Sequence, residues 1–382
     1  MKLRTVASVR DVAAADWDRC ANADGFNPFA SHAFYLAVEA SKSAVAETGW
    51  RGLHLVLEDE AGAIAGIAPC YLKSHSYGEY VFDHGWADAY TRAGGRYYPK
   101  LQCAVPFTPV TGPRLFAERP DYRAMLAKGL VGLCGEARAS SAHVTFLPEA
   151  DYNAIGGGPW LQRMDTQFHW ANPGYASFDD FLAALASRKR KNIRREREEV
   201  RAAGIEIVWV TGGDLKEEHW DAFFRFYMDT GARKWGSPYL TREFFSLIGE
   251  TMREHVLLVM CKRAGRWIAG ALNFIGSDAL YGRNWGALEH HACLHFEACY
   301  YQAMDFAIDR KLARVEAGAQ GEHKLARGYV PVSTYSIHHL ADPRLQRAVA
   351  DYLEHERSEV ARSQGILAQY APFKETGAER ES

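Results

Sequence analysis

Two distant segments of the sequence carry the same succession of features. Gly25-Phe-Asn-Pro-Phe-Ala-Ser-His-Ala-Phe-Tyr35 and Gly236-Ser-Pro-Tyr-Leu-Thr-Arg-Glu-Phe-Phe245 each run from a proline and an aromatic, through a small capping residue, to an aromatic pair opening an amphipathic helix. A hairpin pattern follows in each, from Leu53 to Gly66 and from Val256 to Gly270: an apolar strand, a polar turn closed by glycine, then Ile-Ala-Gly. A third strand is expected from Tyr80 to Trp86 and from Leu280 to Gly286. A long helix is expected from Tyr122 to Ala139 and from Phe296 to Arg310, then a strand from Ala142 to Leu147 and from Ala313 to Glu316. Matches in one order predict a tandem duplication of an α/β unit, each copy a mixed, mostly antiparallel sheet flanked by helices. The boundary is expected where glycine and proline cluster, between 156 and 174, giving domains 1–173 and 174–340. In the tail 341–382, Leu345, Val349, Tyr352, Leu353, Val360 and Leu367 fit a final amphipathic helix.

The chain has 382 residues and a net charge of −2, so any attraction for nucleic acid or membrane must be local. Seven cysteines, none paired as C-x-x-C and most in apolar runs, suit reduced thiols. The N-terminus lacks a signal-peptide pattern and no apolar run is long enough to span a membrane, so a cytoplasmic protein is expected.

The local charge is Ser187-Arg-Lys-Arg-Lys-Asn-Ile-Arg-Arg-Glu-Arg-Glu-Glu-Val-Arg201, with eight Lys or Arg and three Glu. As a helix capped by Ser187, it puts Arg190, Arg194, Arg197 and Arg201 on one face, with Glu198 and Glu199 able to pair with Arg194 and Arg195. The stripe reads either as a phosphate-binding face, for tRNA or a nucleotide-linked substrate, or as a solvated helix face.

The tract Glu316-Ala-Gly-Ala-Gln-Gly-Glu-His-Lys-Leu-Ala-Arg-Gly328 mixes proton-exchanging groups with glycines, as site-building loops do. Its blander reading is a surface turn with a few ion pairs. His323 titrates near neutrality, Glu316 or Glu322 can orient it, and Lys324 and Arg327 can hold an anionic group. Glu297 shares a face of the preceding helix with Tyr300 and with Tyr301. A helix N-terminus favours Glu297 by its dipole alone; the sharper reading is a carboxylate shared with Glu316 or Glu322. His323 or Glu297 is the candidate base, and Lys324, Arg283 or backbone N–H groups near Gly321 the oxyanion donors. His295, Glu297, Glu322 and His323 match no zinc spacing, and no metal is expected. Cys293 and Cys299 are candidate nucleophiles, against the commoner reading as buried thiols. In the first half, Trp86, Tyr97 and Tyr98 read as a sugar or peptide groove or as core.

Four segments, Ser187–Glu196, Leu280–Gly286, Leu294–Gln302 and Gly318–Gly328, resemble the bacterial peptidoglycan biosynthesis/recognition family, a Fem-like branch of the GCN5-related N-acetyltransferase (GNAT) superfamily. The resemblance implies two tandem GNAT-like domains, the first a binding lobe for the acceptor. It implies acyl transfer to an amine, with aminoacyl-tRNA or acyl-CoA as donor, a cell-wall precursor or other small amine as acceptor, and no tightly bound cofactor. On the residues themselves, His323, Glu322, Glu297 and Glu316 are the catalytic candidates, with Arg283, Trp285, Tyr301, Gln320, Lys324 and Arg327 around the substrate. An acyl-carrier-protein donor and a non-catalytic recognition protein are the alternatives. The turn Leu288–Glu297 lacks the glycines that hold CoA pyrophosphate in GNAT domains, which favours tRNA.

Overall fold

The computed structural model describes residues 1–23, 25–234, 238–318 and 321–374, apart from the Lys234 and Glu322 side chains. Gly236 and Ser237 of the second repeat, the candidate Gln320 and the Glu322 side chain lie outside the described residues. The chain forms two compact units assembled from alternating stretches: Met1–Asp165, Tyr239–Thr251 and Ser333–Arg362 in the first, Thr166–Pro238, Met252–Val332 and the chain from Ser363 in the second.

In the first unit, β1 (Lys2–Val6), β3 (His54–Glu58) and β4 (Ile64–Ala68) form a small antiparallel sheet. A separate sheet holds β2 (Trp50–Gly52), β5 (Cys70–Lys73), β6 (Lys100–Cys103) and β7 (Ser141–Leu147). The hairpin strands are split at Leu53 and Pro69, and proline removes a ladder donor, so one long strand pair becomes two short ones. β6 and β7 run parallel, joined by the helix Pro120–Glu136. The expected strand from Tyr80 to Trp86 is not formed; its end opens the helix His84–Arg92, and β6 takes the third position. The expectation failed because Val81 and Phe82 imitate strand alternation, whereas Asp83 is pulled inward by Lys100.

The second unit has the unbroken version, in the order β8 (Leu161–Ala171, within this unit from Thr166), β13 (Arg314–Glu316), β12 (Ala279–Ala287), β11 (Arg266–Ile275), β10 (Val256–Arg263), β9 (Ile205–Thr211). β12 and β13 are parallel, connected by a continuous helix, 294–309, whose middle, Glu297–Tyr301, is a π-turn. The glycine- and proline-rich stretch holds the eleven-residue β8, whose polar residues hid the strand pattern. β14 (Val330–Leu340) follows the second repeat, yet its Tyr335–Leu340 end pairs with β7 of the first unit. The helix Arg242–Thr251 likewise belongs to the first unit, where it packs on its counterpart His32–Ala40, Phe34 meeting Phe244 at 5.9 Å. The final helix spans Pro343–Gln369, as its periodicity predicts. Each unit is the expected mixed sheet flanked by helices, with one apolar core around Leu101, Leu130 and Val144 and another around Leu257, Leu280 and Ala307.

Candidate active site

β12 and β13 pair over only three positions, ending at Tyr281 and Glu316. Beyond them β12 continues while the chain leaves β13 for the short 3₁₀ helix Glu322–Arg327. On its other side β12 is bulged against β11: Leu272 faces Asn284 and Asn273 faces Gly282, leaving Arg283 as the extra residue. Bulges of this kind aim side chains beside functional sites. A cavity of about 90 Å³ occupies the fork, lined by Asn273, Gly282, Arg283, Asn284 and Trp285 from the strands and His295, Cys299 and Tyr300 from the helix.

Tyr300 connects this cavity to the polar loop. Its hydroxyl and His323 Nε2 are 2.9 Å apart, while its ring packs on Phe296 and Tyr329. Burial holds the Tyr300 phenol protonated well beyond neutral pH. The His323 pKa is lowered, first by burial and then by the Arg327 and Lys324 charges, so the imidazole is neutral at pH 7 and can take a proton.

The remaining candidates divide. Arg327 is 8% exposed and bidentate to Glu196, at 2.8 and 3.2 Å, with its third contact to the His323 carbonyl. Tyr301, expected at the substrate, is fully buried and donates to the same Glu196; it holds the scaffold. Lys324 donates to the Gly318 carbonyl at 2.8 Å, and burial brings its pKa down to about 8. Glu316 is buried against Arg314 at 3.0 Å, with His169 at 3.8 Å. Glu297 accepts from Arg197 at 3.0 Å and Gln302 at 2.7 Å, partners that His323 does not share. Of the two candidate bases, His323 meets Tyr300 and Glu297 meets Arg197, because the π-turn directs Glu297 to the basic helix and Tyr300 to the loop. Among the described residues no group of three or more metal-type ligands converges.

The basic helix is Ser187–Ala202, with Ala186 rather than Ser187 at its cap. Its arginines do not form one solvated stripe. Arg197 turns inward to Glu297 and Asp305 and lies 4.3 Å from the Phe178 ring. Arg190 is half-buried, whereas Arg194 and Arg201 are exposed, paired with Asp179 and Glu198 instead of by the expected i,i+4 contacts. Together with Arg195, Ser177 and Phe178 these last two line an open cleft of about 650 Å³. At the start of the helix 294–309, Cys293 takes the left-handed conformation and its thiol donates to the Glu199 carboxylate at 3.4 Å. A carboxylate beside that N-terminus disfavours a second anion there.

In the first unit the expected aromatic groove is interior. Trp86 is 7% and Tyr97 2% exposed, and Tyr97 donates to Asp83 at 2.7 Å. The buried Lys100 joins Asp83, Glu79 at 2.6 Å and Ser76 at 2.7 Å, and Ser76 also meets the half-buried Tyr98 hydroxyl. Close by, His143 and His338 share a 2.7 Å hydrogen bond.

Sequence reasoning missed Glu196, concealed in the basic run, and placed Tyr300 on the Glu297 face of its helix without giving it a role. It also missed Asn273, for which a signal existed: one amide inside an apolar strand.

Two mixed α/β units, each a sheet flanked by helices, define the fold class. Within that class the chain belongs to the FemAB-like family, described as peptidoglycan biosynthesis/recognition, whose model matches residues 8–375. Among solved structures it is similar to FemX, at 11% identity and TM-score 0.55, covering 92% of this chain and 100% of that one. It is also similar to L-PGS from Bacillus licheniformis, at 8% identity and TM-score 0.50, covering 92% and 98%. No curated protein matches the sequence. No helix among the described residues is long and apolar enough to cross a membrane.

Proposed function

We propose that the chain transfers an aminoacyl group from tRNA to an amine of a peptidoglycan precursor, with the reacting carbonyl in the cavity at the β12–β13 fork. The observation that carries this reading is the hydrogen bond from cavity-lining Tyr300 to a neutral His323. The acceptor nitrogen attacks the ester carbonyl, and the new C–N bond forms as the carbonyl π pair moves to oxygen. A nitrogen proton passes to the Tyr300 oxygen while the Tyr300 proton passes to His323 Nε2. Reversal of the relay protonates the departing ribose oxygen as the C–O bond breaks. Holding both reactants in one cleft contributes on the order of 7–11 kcal/mol, and the proton relay about 10²–10⁴ in rate. Arg283 at the bulge suits the developing oxyanion. The exposed Arg194, Arg195 and Arg201 cleft suits the tRNA backbone. Glu199 at the main helix's start disfavours the pyrophosphate of a CoA donor.

The test is to offer the purified protein charged tRNA or acetyl-CoA with a peptidoglycan-precursor amine and to follow deacylation of each donor and product formation. Consumption of charged tRNA, dependent on the amine, is expected. Consumption of acetyl-CoA alone replaces the donor, and turnover of neither leaves a recognition protein.

A further inference from the structure

One polar atom in the fork cavity is out of balance. Asn273 is 1% exposed, and its Nδ2 lies 3.4 Å from both the Leu257 and Ala271 carbonyl oxygens. Those two acceptors fix the amide orientation: rotated, its oxygen would face two carbonyl oxygens. Among the described residues Oδ1 has no hydrogen-bond partner, and it belongs to a buried residue that lines the cavity. Buried acceptors are almost always satisfied, so a built-in orphan beside open space points to a donor brought by a ligand.

Gly282 locates that space. It stands opposite Asn273 across the β11–β12 pair, so both project to one face. Its φ is not left-handed, hence the missing side chain leaves room and serves no turn. A Cβ there would lie 3.4 Å from Asn273 Oδ1 and 3.5 Å from the Glu316 carbonyl oxygen. A side chain at this position would crowd Asn273 Oδ1, and Trp285 and Tyr300 line the same cavity. An oxygen dipole together with aromatic faces suits a small cation carrying N–H groups.

We infer that Asn273 Oδ1 receives the α-ammonium group of an aminoacyl donor, so that the site selects acyl groups bearing a free amine over plain acyl groups. This rests on the transfer reading above and narrows it. Near the reacting carbonyl of an aminoacyl ester, the α-ammonium is the only N–H group; a simple acyl ester has none. A cavity of about 90 Å³ suits a small aminoacyl group.

The probes are 3′-deoxy-3′-(L-alanylamino)adenosine and its propionyl counterpart, stable mimics of a tRNA terminus that differ in the ammonium alone. Titration calorimetry on the full chain should find the alanyl compound bound at least about tenfold more tightly, as a hydrogen bond to a charged group implies. Asn273→Leu should bring the two within about twofold. Gly282→Ala should narrow the preference too, because the added methyl meets neighbours at ordinary distances of 3.4–3.7 Å and screens the oxygen without disturbing the fold. Equal binding by the wild type, or an undiminished preference in folded Asn273→Leu, overturns the assignment while the transfer reading stands if charged tRNA is still consumed. If neither compound binds and acetyl-CoA is the donor consumed, both readings fall together.

Discussion

Replacing Tyr300 by Phe removes one oxygen and keeps the ring that packs on Phe296 and Tyr329. The structural cost is a single hydrogen bond to an exposed histidine, ~1 kcal/mol, which amounts to a few degrees in melting temperature. The catalytic cost is far larger. Without the phenol, the acceptor's proton has no route to His323, and kcat for charged-tRNA turnover should fall about 10²–10⁴-fold, or ~3–5 kcal/mol. KM should change little, since the relay acts after binding. His323→Ala should give a similar loss, and the double variant should be no slower than the slower single one, because both break one relay. Single-turnover rates at saturating donor, with a thermal melt of each variant, measure all three. A folded Tyr300→Phe within threefold of the wild-type rate would refute the relay, as would multiplicative losses in the double variant.

Several other perturbations separate scaffold from chemistry. The acid limb of kcat/KM should lie below pH 6.5, since His323 sheds its proton more readily than a free imidazole, and the limb should vanish in His323→Ala. Glu196→Leu strands the buried Arg327 and should cost about 3–5 kcal/mol in urea unfolding, losing activity through the fold. Arg194→Glu with Arg201→Glu should weaken tRNA binding and flatten its salt dependence, and an unchanged affinity would return these residues to a solvated face. The His143 pKa is brought down to about 3, chiefly by burial, so below about pH 6.5 the unfolded chain binds a proton that the folded chain refuses. His143 should therefore contribute a fall in stability as pH drops from 6.5 towards 3, of at most ~5 kcal/mol, and a His143→Gln variant should show a shallower slope in urea titrations, keeping the share of the equally buried His338.

Much of the architecture was legible in the residues. The hairpins, the parallel strand after each long helix and the last helix follow from local periodicity and turn chemistry, which act over a few neighbouring residues. Other features were not legible because their causes are distant in sequence. The strand β8 carries Gln162, Arg163, Asp165 and Gln167, so its alternation cannot be read before its partners are known. The helix Arg242–Thr251 looks like part of the second repeat and packs in the first unit. At the site, composition marked the polar loop and the basic helix, yet not which groups would meet.

The sequence by itself determined a duplicated α/β chain with a polar, glycine-spaced loop after a short strand in its second copy, since repeats, periodicity and turn residues are local properties. Only the tertiary structure decided that Tyr300, rather than Glu297, reaches His323, that Arg197 and Tyr301 serve the interior, and that Asn273 Oδ1 has no hydrogen-bond partner among the described residues. Those outcomes depend on a π-turn, a bulge and the parting of two strands, which set side-chain direction across elements far apart in the chain and leave no periodic trace in it.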